Sequence, residues 1–341
     1  MNIRGLARHL NLSIGTVSRA LNHGRDVNPE TRRRVMDAAL ALGYTPNQSG
    51  RALRRGRTGT VAFILPLTTD SATYGDPFFM AVLEGIQGAL EREGLELVVL
   101  PVRRDQDQVE HLRRHLGRGT ADAWLLVEIK REDERIALLE RQRVPFATFG
   151  RSLTQGHQPW IDLDFEQVTS IAIGRFTEGG HRRIALIVPG DDVNFSQIVI
   201  SSYRSALERA GLPVDPTLIY HGPVDSAASA AATARFLALE DPPSAIFVVS
   251  ENGPVGVYVA LRAADLEPGR DVSVIGSRET AASALLDPPL TCFSLDLQRL
   301  GEAFASMLVK SMNDQDGEAG DRAVLWPFET VEGRSDHPRI G

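Results

Sequence analysis

Apolar residues return at helical spacing from the first residues of the chain. Ile3, Leu6, Ala7 and Leu10 stand at i, i+3, i+4 and i+7, the stripe of a first amphipathic helix. Asn11-Leu12 breaks the stripe. Ser13 then suits the cap of a second helix, its hydroxyl accepting from the Thr16 N–H. That helix runs from Ile14 to about Asn22; it turns Val17 and Leu21 inward and leaves Ile14, Gly15, Ser18 and Arg19 outside. Asn28 caps a third helix, with Pro29 at the first position, where a missing N–H costs nothing. Val35, Ala38, Ala39 and Leu42 form its buried stripe, and Gly43 suits a left-handed stop. After Pro46, Asn47 can cap a fourth, very short helix. Helices this short are marginal in water, and Gly50 in the interior weakens it by a further ~1 kcal/mol.

From residue 59 the pattern changes. Continuous apolar, β-branched runs predict strands at 61–65, 95–100, 123–127, 146–149, 184–188, 246–249 and 272–275. Amphipathic stretches predict helices at 78–92, 109–116, 133–142, 166–177, 197–210 and 254–264. Such alternation implies parallel sheets covered on both faces, in two sets that part near residue 160. Ligands of these sheets sit beyond the carboxyl ends of the strands.

Charge sharpens the division. The chain carries a net −7, yet residues 1–58 hold eleven arginines against three acids. A basic head on an acidic body is the electrostatic footprint of a nucleic-acid-binding module joined to something else. No apolar run reaches the ~18–20 residues needed to span a bilayer, and the start MNIRGLARHL is no secretory signal. A cytoplasmic protein without membrane association is expected. Cys292 stands alone, which excludes an internal disulfide and reads as a small buried hydrophobe in a strand.

Two short helices joined by a tight turn and braced by a third form a helix-turn-helix, whose second helix enters the major groove. Its outward residues become base readers. Arg19 can pair with guanine O6 and N7, Ile14 can meet a thymine methyl, and Gly15 and Ser18 complete the surface. Ser13, Thr16, Asn22, Arg32, Asn47, Arg51 and Arg54 are the candidate phosphate ligands. Leu53, the one large apolar residue of the arginine-rich fourth segment, either wedges into a minor-groove base step or packs on the body.

Residues 12–22, Val27-Asn28-Pro29-Glu30-Thr31-Arg32 and Leu42-Gly43-Tyr44-Thr45-Pro46-Asn47 resemble the LacI/GalR family of transcriptional regulators. Asp76-Pro77-Phe78-Phe79 and Asp287-Pro288-Pro289-Leu290-Thr291 fit the same pattern, so the resemblance covers the whole chain. It implies a lambda-repressor-like helix-turn-helix over 1–46 and a hinge helix and linker over 47–58. It further implies an α/β core of the periplasmic-binding-protein-like type I fold, built of two doubly wound lobes. Their expected extents are 59–160 with 294–323, and 161–293 with 324–341, the last segment (324–331) returning as a strand. Also implied is a homodimer on a palindromic double-stranded DNA operator, with Leu53 as the hinge wedge and a small effector between the lobes. Gly50 departs from the alanine usual in that hinge. The segments 104–107 and 146–151 look like those of repressors of alpha-glucoside operons.

The strand-end loops supply the candidate effector ligands. Phe78 and Phe79 either stack on a sugar ring or belong to the core. Asp70, Arg151, Asn194, Gln197, Ser250 and Arg278 are the candidate hydrogen-bonding groups. The family's sugar-gripping arginine aligns with Val199, its asparagine with Ser250, and its usual aspartate with Arg278. Arg151 with Arg278 also suits an acidic or phosphorylated ligand. The expected function is a repressor of carbohydrate genes released by a sugar-like effector. The alternatives are a co-repressor (nucleobase, sugar acid or sugar phosphate) that strengthens DNA binding and, more distantly, a solute receptor. No phosphate loop, dinucleotide glycine fingerprint or H-E-x-x-H motif supports an enzyme or a cofactor. His111 and His115, four apart, have metal-ligand spacing, but the Leu112-Arg113-Arg114 between them reads as a solvent-facing helix, so no metal is expected.

Overall fold

The computed structural model describes residues 2–21, 27–44, 57–67, 77–103, 105–190, 192–313 and 322–336. The chain divides into two compact units, Met1–Thr58 and Gly59–Gly341.

In the first unit, α1 (Ile3–Leu10), α2 (Ile14–Leu21) and α3 (Pro29–Ala41) close around one small core. Leu6, Val17, Ala20 and Val35 are fully buried there, and Leu10, Leu21, Ala38 and Leu42 pack on them half-buried. The caps fall where the sequence puts them. Ser13 Oγ accepts from the Thr16 N–H at 3.0 Å and Asn28 Oδ1 from the Glu30 N–H at 2.8 Å. Gly43 takes the left-handed φ of +59° that ends α3.

The second unit holds two parallel sheets. Among the described residues the first contains β1 (Thr60–Pro66), β2 (Glu96–Val102), β3 (Ala123–Leu126), β4 (Phe146–Phe149), β5 (Trp160–Leu163) and β11 (Ala323–Trp326), in the order β11-β5-β4-β3-β1-β2. Alternate residues of its central strands point to opposite faces, as the strand period of two requires. Val61, Phe63 and Leu125 meet α4 (Pro77–Arg92) and α11 (Leu297–Asn313) on one face. Ala62, Ile64, Trp124 and Leu126 meet α5 (Gln108–Gly117) and α6 (Glu134–Gln142) on the other. Gly85 and Gly301 let α4 and α11 touch backbone to backbone. A Cβ on Gly85 would stand 2.0 Å from the Gln298 carbonyl, and one on Gly301 2.1 Å from that of Val82.

The second sheet runs β7-β6-β8-β9, from Ile219–Gly222, Ile184–Pro189, Ala245–Val248 and Ser273–Gly276. Helices α7 (Phe165–Glu178) and α8 (Asn194–Arg209) cover one face, and α9 (Ser226–Leu237) and α10 (Gly253–Ala263) the other. An antiparallel pair, β10 (Cys292–Ser294) with β12 (Glu329–Val331), carries the returning chain. Cys292 is buried in that strand, and burial pushes its thiol up to about 12.

Three expectations change. Residues 161–163 and 324–326 belong to the first lobe's sheet, paired Val324 to Ile161 and Leu325 to Asp162, so the chain crosses after Leu163 and after Trp326. Residues 324–331 are two strands in two different sheets rather than one. His111 does not face solvent: it is 6 % exposed beside the fully buried Leu112. Its ring lies 4.7 Å from that of His115, and burial, with Arg114 nearby, holds both imidazoles below the usual histidine range. Among the described residues no three His, Cys, Asp or Glu side chains gather as a metal site, and no helix is long and apolar enough to cross a membrane.

Candidate functional site

The first unit presents its chemistry on one helix face. Val17 and Ala20 fasten α2 to the core. The opposite side leaves Ser13, Ile14, Gly15 and Arg19 exposed, with Thr16 and Ser18 half-buried between them. Ile14 is 42 % exposed, unusual for an isoleucine. A Cβ on Gly15 would meet only Ser13 Oγ, at 3.7 Å, so the packing of the fold does not demand glycine there. Arg32, on α3, is half-buried. The candidates Asn22, Asn47, Arg51, Leu53 and Arg54, the hinge helix, and Asp70 of the effector set lie outside the described residues.

In the second unit a cavity of about 230 Å³ opens between the two sheets, beyond the carboxyl ends of β3, β4, β5, β6, β8 and β9. Its walls are aromatic: Phe78, Phe79 and Phe149 come from the first lobe, and Phe165 and Phe195 from the second. Phe78 stacks on Phe149 at 5.8 Å and meets Phe79 edge-on at 5.1 Å; Phe165 stacks on Phe195 at 5.0 Å. Phe78 and Phe79 are thus both core and cavity wall, each 8 % exposed.

The cations facing this cavity are already matched. Arg278 lies over the Phe78 ring at 4.1 Å and pairs with Glu251. Arg151 Nε donates to Asp162 Oδ2 at 2.7 Å, and its two terminal nitrogens donate to the Glu166 carboxylate at 2.9 and 2.8 Å. Burial pushes the Asp162 carboxyl up, the bonds from Arg151 offsetting only part of the effect. Both guanidinium groups facing the cavity are thus paired with carboxylates. Ser250 lines the cavity, but its hydroxyl donates to the Val224 carbonyl at 2.6 Å and accepts from the Gly253 N–H at 2.9 Å, starting α10. Asn194 and Gln197 lie outside the cavity, in an adjoining groove. The Asn194 amide donates to the Arg151 carbonyl at 2.8 Å and joins the lobes. Val199 is fully buried in the second lobe's core, so its position offers the cavity nothing.

The sequence reading missed Glu128, Phe149, Phe165, Asp162, Phe195 and Glu251 on the wall. Glu128 gave one signal only in three dimensions: it is a non-glycine residue at φ +50°, a conformation that persists where its surroundings enforce it. The enforcement comes from Arg135. Buried to 1 % exposure, its guanidinium donates to the carbonyls of Val127 and Glu128 at 3.1 and 3.0 Å and pairs with Asp133 at 2.6 Å. Burial would raise the Asp133 carboxyl, but the Arg135 bonds outweigh it and hold it below the ordinary range.

The lobes also meet through backbone. The Asn194 N–H donates to the Ile129 carbonyl at 2.8 Å, and Lys130 bridges Val193. A helix-turn-helix head joined to a two-lobed core that encloses a small cavity defines a ligand-responsive DNA-binding regulator. The comparisons with known proteins agree. Residues 2–47 match the family model for bacterial regulatory proteins of the lacI family, and residues 173–335 match that for a periplasmic binding protein-like domain. The transcriptional regulator CelR of Thermobifida fusca is 30% identical over 306 residues, 89% of each chain. The regulator AglR of Rhizobium meliloti (strain 1021) is 29% identical over 99% of this chain and 95% of its own. A CelR–cellobiose complex superposes with a TM-score of 0.74 at 27% identity, covering 98% of this chain and 99% of that one. The lac repressor dimer on its operator superposes with a TM-score of 0.85 at 20% identity over 99% of each chain, a likeness of fold. The chain belongs to the LacI family and is an HTH-type transcriptional regulator, not an enzyme.

Proposed function

We propose that this regulator represses carbohydrate genes in the cytoplasm and leaves its operator when a neutral sugar fills the interlobe cavity. The observation that carries the reading is a phenylalanine-walled cavity in which Arg151 and Arg278 are already paired with carboxylates. Aromatic faces suit the apolar faces of a pyranose, while fixed ion pairs offer donors and acceptors to its hydroxyls without adding net charge. A cavity of about 230 Å³ lies below the ~300–1,000 Å³ of drug-sized sites, which favours a ligand of one or two rings. The cellobiose bound to CelR supports a sugar as the effector class.

On DNA, a homodimer places two copies of α2 in successive major grooves. Arg19 reads a guanine, Ile14 and Gly15 set the neighbouring preference, Ser18 completes the face, and Ser13, Thr16 and Arg32 hold phosphates. Sugar weakens operator binding by the factor by which operator weakens sugar binding, because the coupling is reciprocal.

The test is operator affinity, by fluorescence anisotropy with and without cellobiose, maltose and glucose, beside a thermal-shift screen of the same sugars. A sugar that raises the melting temperature and lowers operator affinity is expected. If every sugar leaves both unchanged, the sugar reading fails; a sugar that tightens operator binding makes it a co-repressor instead.

A further inference from the structure

A second space lies on the other side of Arg151. It is a groove of about 810 Å³ between the lobes, lined by the exposed face of α8 and by the chain around residues 151–153. The successive residues at the two helix starts divide the spaces. Phe165 and Phe195 face the aromatic cavity, while Glu166 and Asn194 face the groove. Arg151 borders both, its guanidinium held in the wall by Asp162 and Glu166 and 5.7 Å from the Trp160 ring.

The groove has a chemistry of its own. Trp160, Leu153 and Ile198 make an apolar platform. Leu153 is 60 % exposed on it, a large apolar side chain left to water. Ser201, Ser202 and Ser205 follow Ile198 along the same face of α8, a row of hydroxyls lining the groove. The charge is uneven. Glu166 is the one carboxylate among the described lining residues, and Arg151 already binds it with both terminal nitrogens. Arg131 and Arg209 stand at the rim, and neither forms an ion pair among the described residues. Among the described residues Arg209 donates to Ser170 Oγ, at 3.3 Å. Such a groove offers a ring-stacking face, hydroxyl partners and two guanidinium groups without a carboxylate partner among the described residues, where both arginines of the cavity beside it are paired.

We infer that this groove is a second effector site, for an anionic sugar-sized metabolite such as a phosphorylated hexose. The ring rests on Trp160 and Leu153, its hydroxyls meet the α8 serines, and the phosphate lies between Arg131 and Arg209, where charge-assisted hydrogen bonds are strong. Arg131 belongs to the first lobe and Arg209 to the second, so the bound anion ties the lobes together. It acts on the sugar cavity through the shared Arg151 wall. The site does not depend on the cavity's ligand being a sugar, because its lining and charge are separate.

The experiment titrates the full-length protein with glucose 6-phosphate, glucose and inorganic phosphate by calorimetry. Three variants accompany it: Arg131→Gln with Arg209→Gln, Ser205→Glu, and the cavity variant Phe149→Ala. Glucose 6-phosphate is expected to bind at least about tenfold more tightly than inorganic phosphate. The double arginine variant and Ser205→Glu should each weaken it about tenfold or more, from lost attraction and added repulsion. All the changed groove residues lie on the exposed surface, so the fold is kept and thermal melting checks it. Phe149→Ala should leave phosphosugar binding in place. The inference is overturned if glucose 6-phosphate does not bind, if phosphate alone binds as well, or if Phe149→Ala abolishes binding while the groove variants do not. Glucose or cellobiose binding to the groove variants reports on the cavity separately, so the two sites fail independently.

Discussion

The head and the body solve recognition in opposite ways. In the head, the candidate base-reading residues are those the fold does not need: Ile14, Gly15 and Arg19 project from α2 while Val17, Ala20 and Leu21 hold it to the core. In the body, the candidate effector residues are the fold. Phe78 and Phe79 pack the first lobe and wall the cavity at once, and Arg135 secures both the α6 start and the Glu128 backbone. A surface-borne site can therefore change without loss of stability, whereas a core-borne site cannot. This difference explains why operator preference and effector preference should be adjustable on separate terms.

The sharpest test is Arg135→Ala. It leaves the Asp133 carboxylate buried without its partner and the Val127 and Glu128 carbonyls without their donor, so a loss of about 3–5 kcal/mol is expected in the urea unfolding of the body. A loss below about 1 kcal/mol would show that the cavity rim does not rely on this pair. Gly301→Ala comes next, because its new methyl would enter the Val82 carbonyl at the α4–α11 contact. An overpacking cost of about 1–3 kcal/mol is expected by the same measurement. Arg19→Ala should cost ~1–3 kcal/mol of operator affinity and relax preference at one base pair, with no change in melting temperature. Equal losses on operator and random DNA would remove base reading from its role.

Acid should separate two buried carboxylates of the body. Asp133 has a depressed folded pKa, so its contribution to stability is complete above the unfolded carboxylate value and is lost as pH falls below about 4. Asp162 is shifted upward, so its sign is opposite: acidification just above that value relieves its buried charge. Urea midpoints of Asp133→Asn and Asp162→Asn against pH should therefore diverge from the parent in opposite directions. The smallest expected effect is Gly15→Ala. It should stabilise the head by about 0.5–1 kcal/mol, since a helical glycine carries excess backbone entropy and the space beyond its Cα is open. Operator preference should shift while stability rises, the surface-borne behaviour in its simplest form.

How much of this could be read in advance follows the same division. Ser13, Asn28, Pro29 and Gly43 announced the head's helix boundaries, because caps act within three or four residues of chain. The parallel sheets were legible from their apolar runs, but β5, β7 and β10 were not, because Asp162, His221 and Ser294 interrupt or end their short apolar runs. The lobe boundaries moved because strand pairing, not hydrophobicity, decides which sheet 161–163 and 324–326 join. Of the effector candidates, Phe78, Phe79, Arg151, Ser250 and Arg278 do line the cavity, since the ends of parallel strands converge there.

The amino-acid sequence by itself settled the kind of protein: three capped helices with a basic outer face, then strand–helix alternation in an acidic body. These are local or compositional properties, carried by near neighbours along the chain. Tertiary structure alone decided that Arg151 and Arg278 meet carboxylates, that Glu128 is held in a strained turn, and that Phe165 and Phe195 close the cavity with residues far from them in the chain. Charge pairing and cavity shape depend on which distant side chains come within a few ångströms of one another, and that information exists only once the chain has folded.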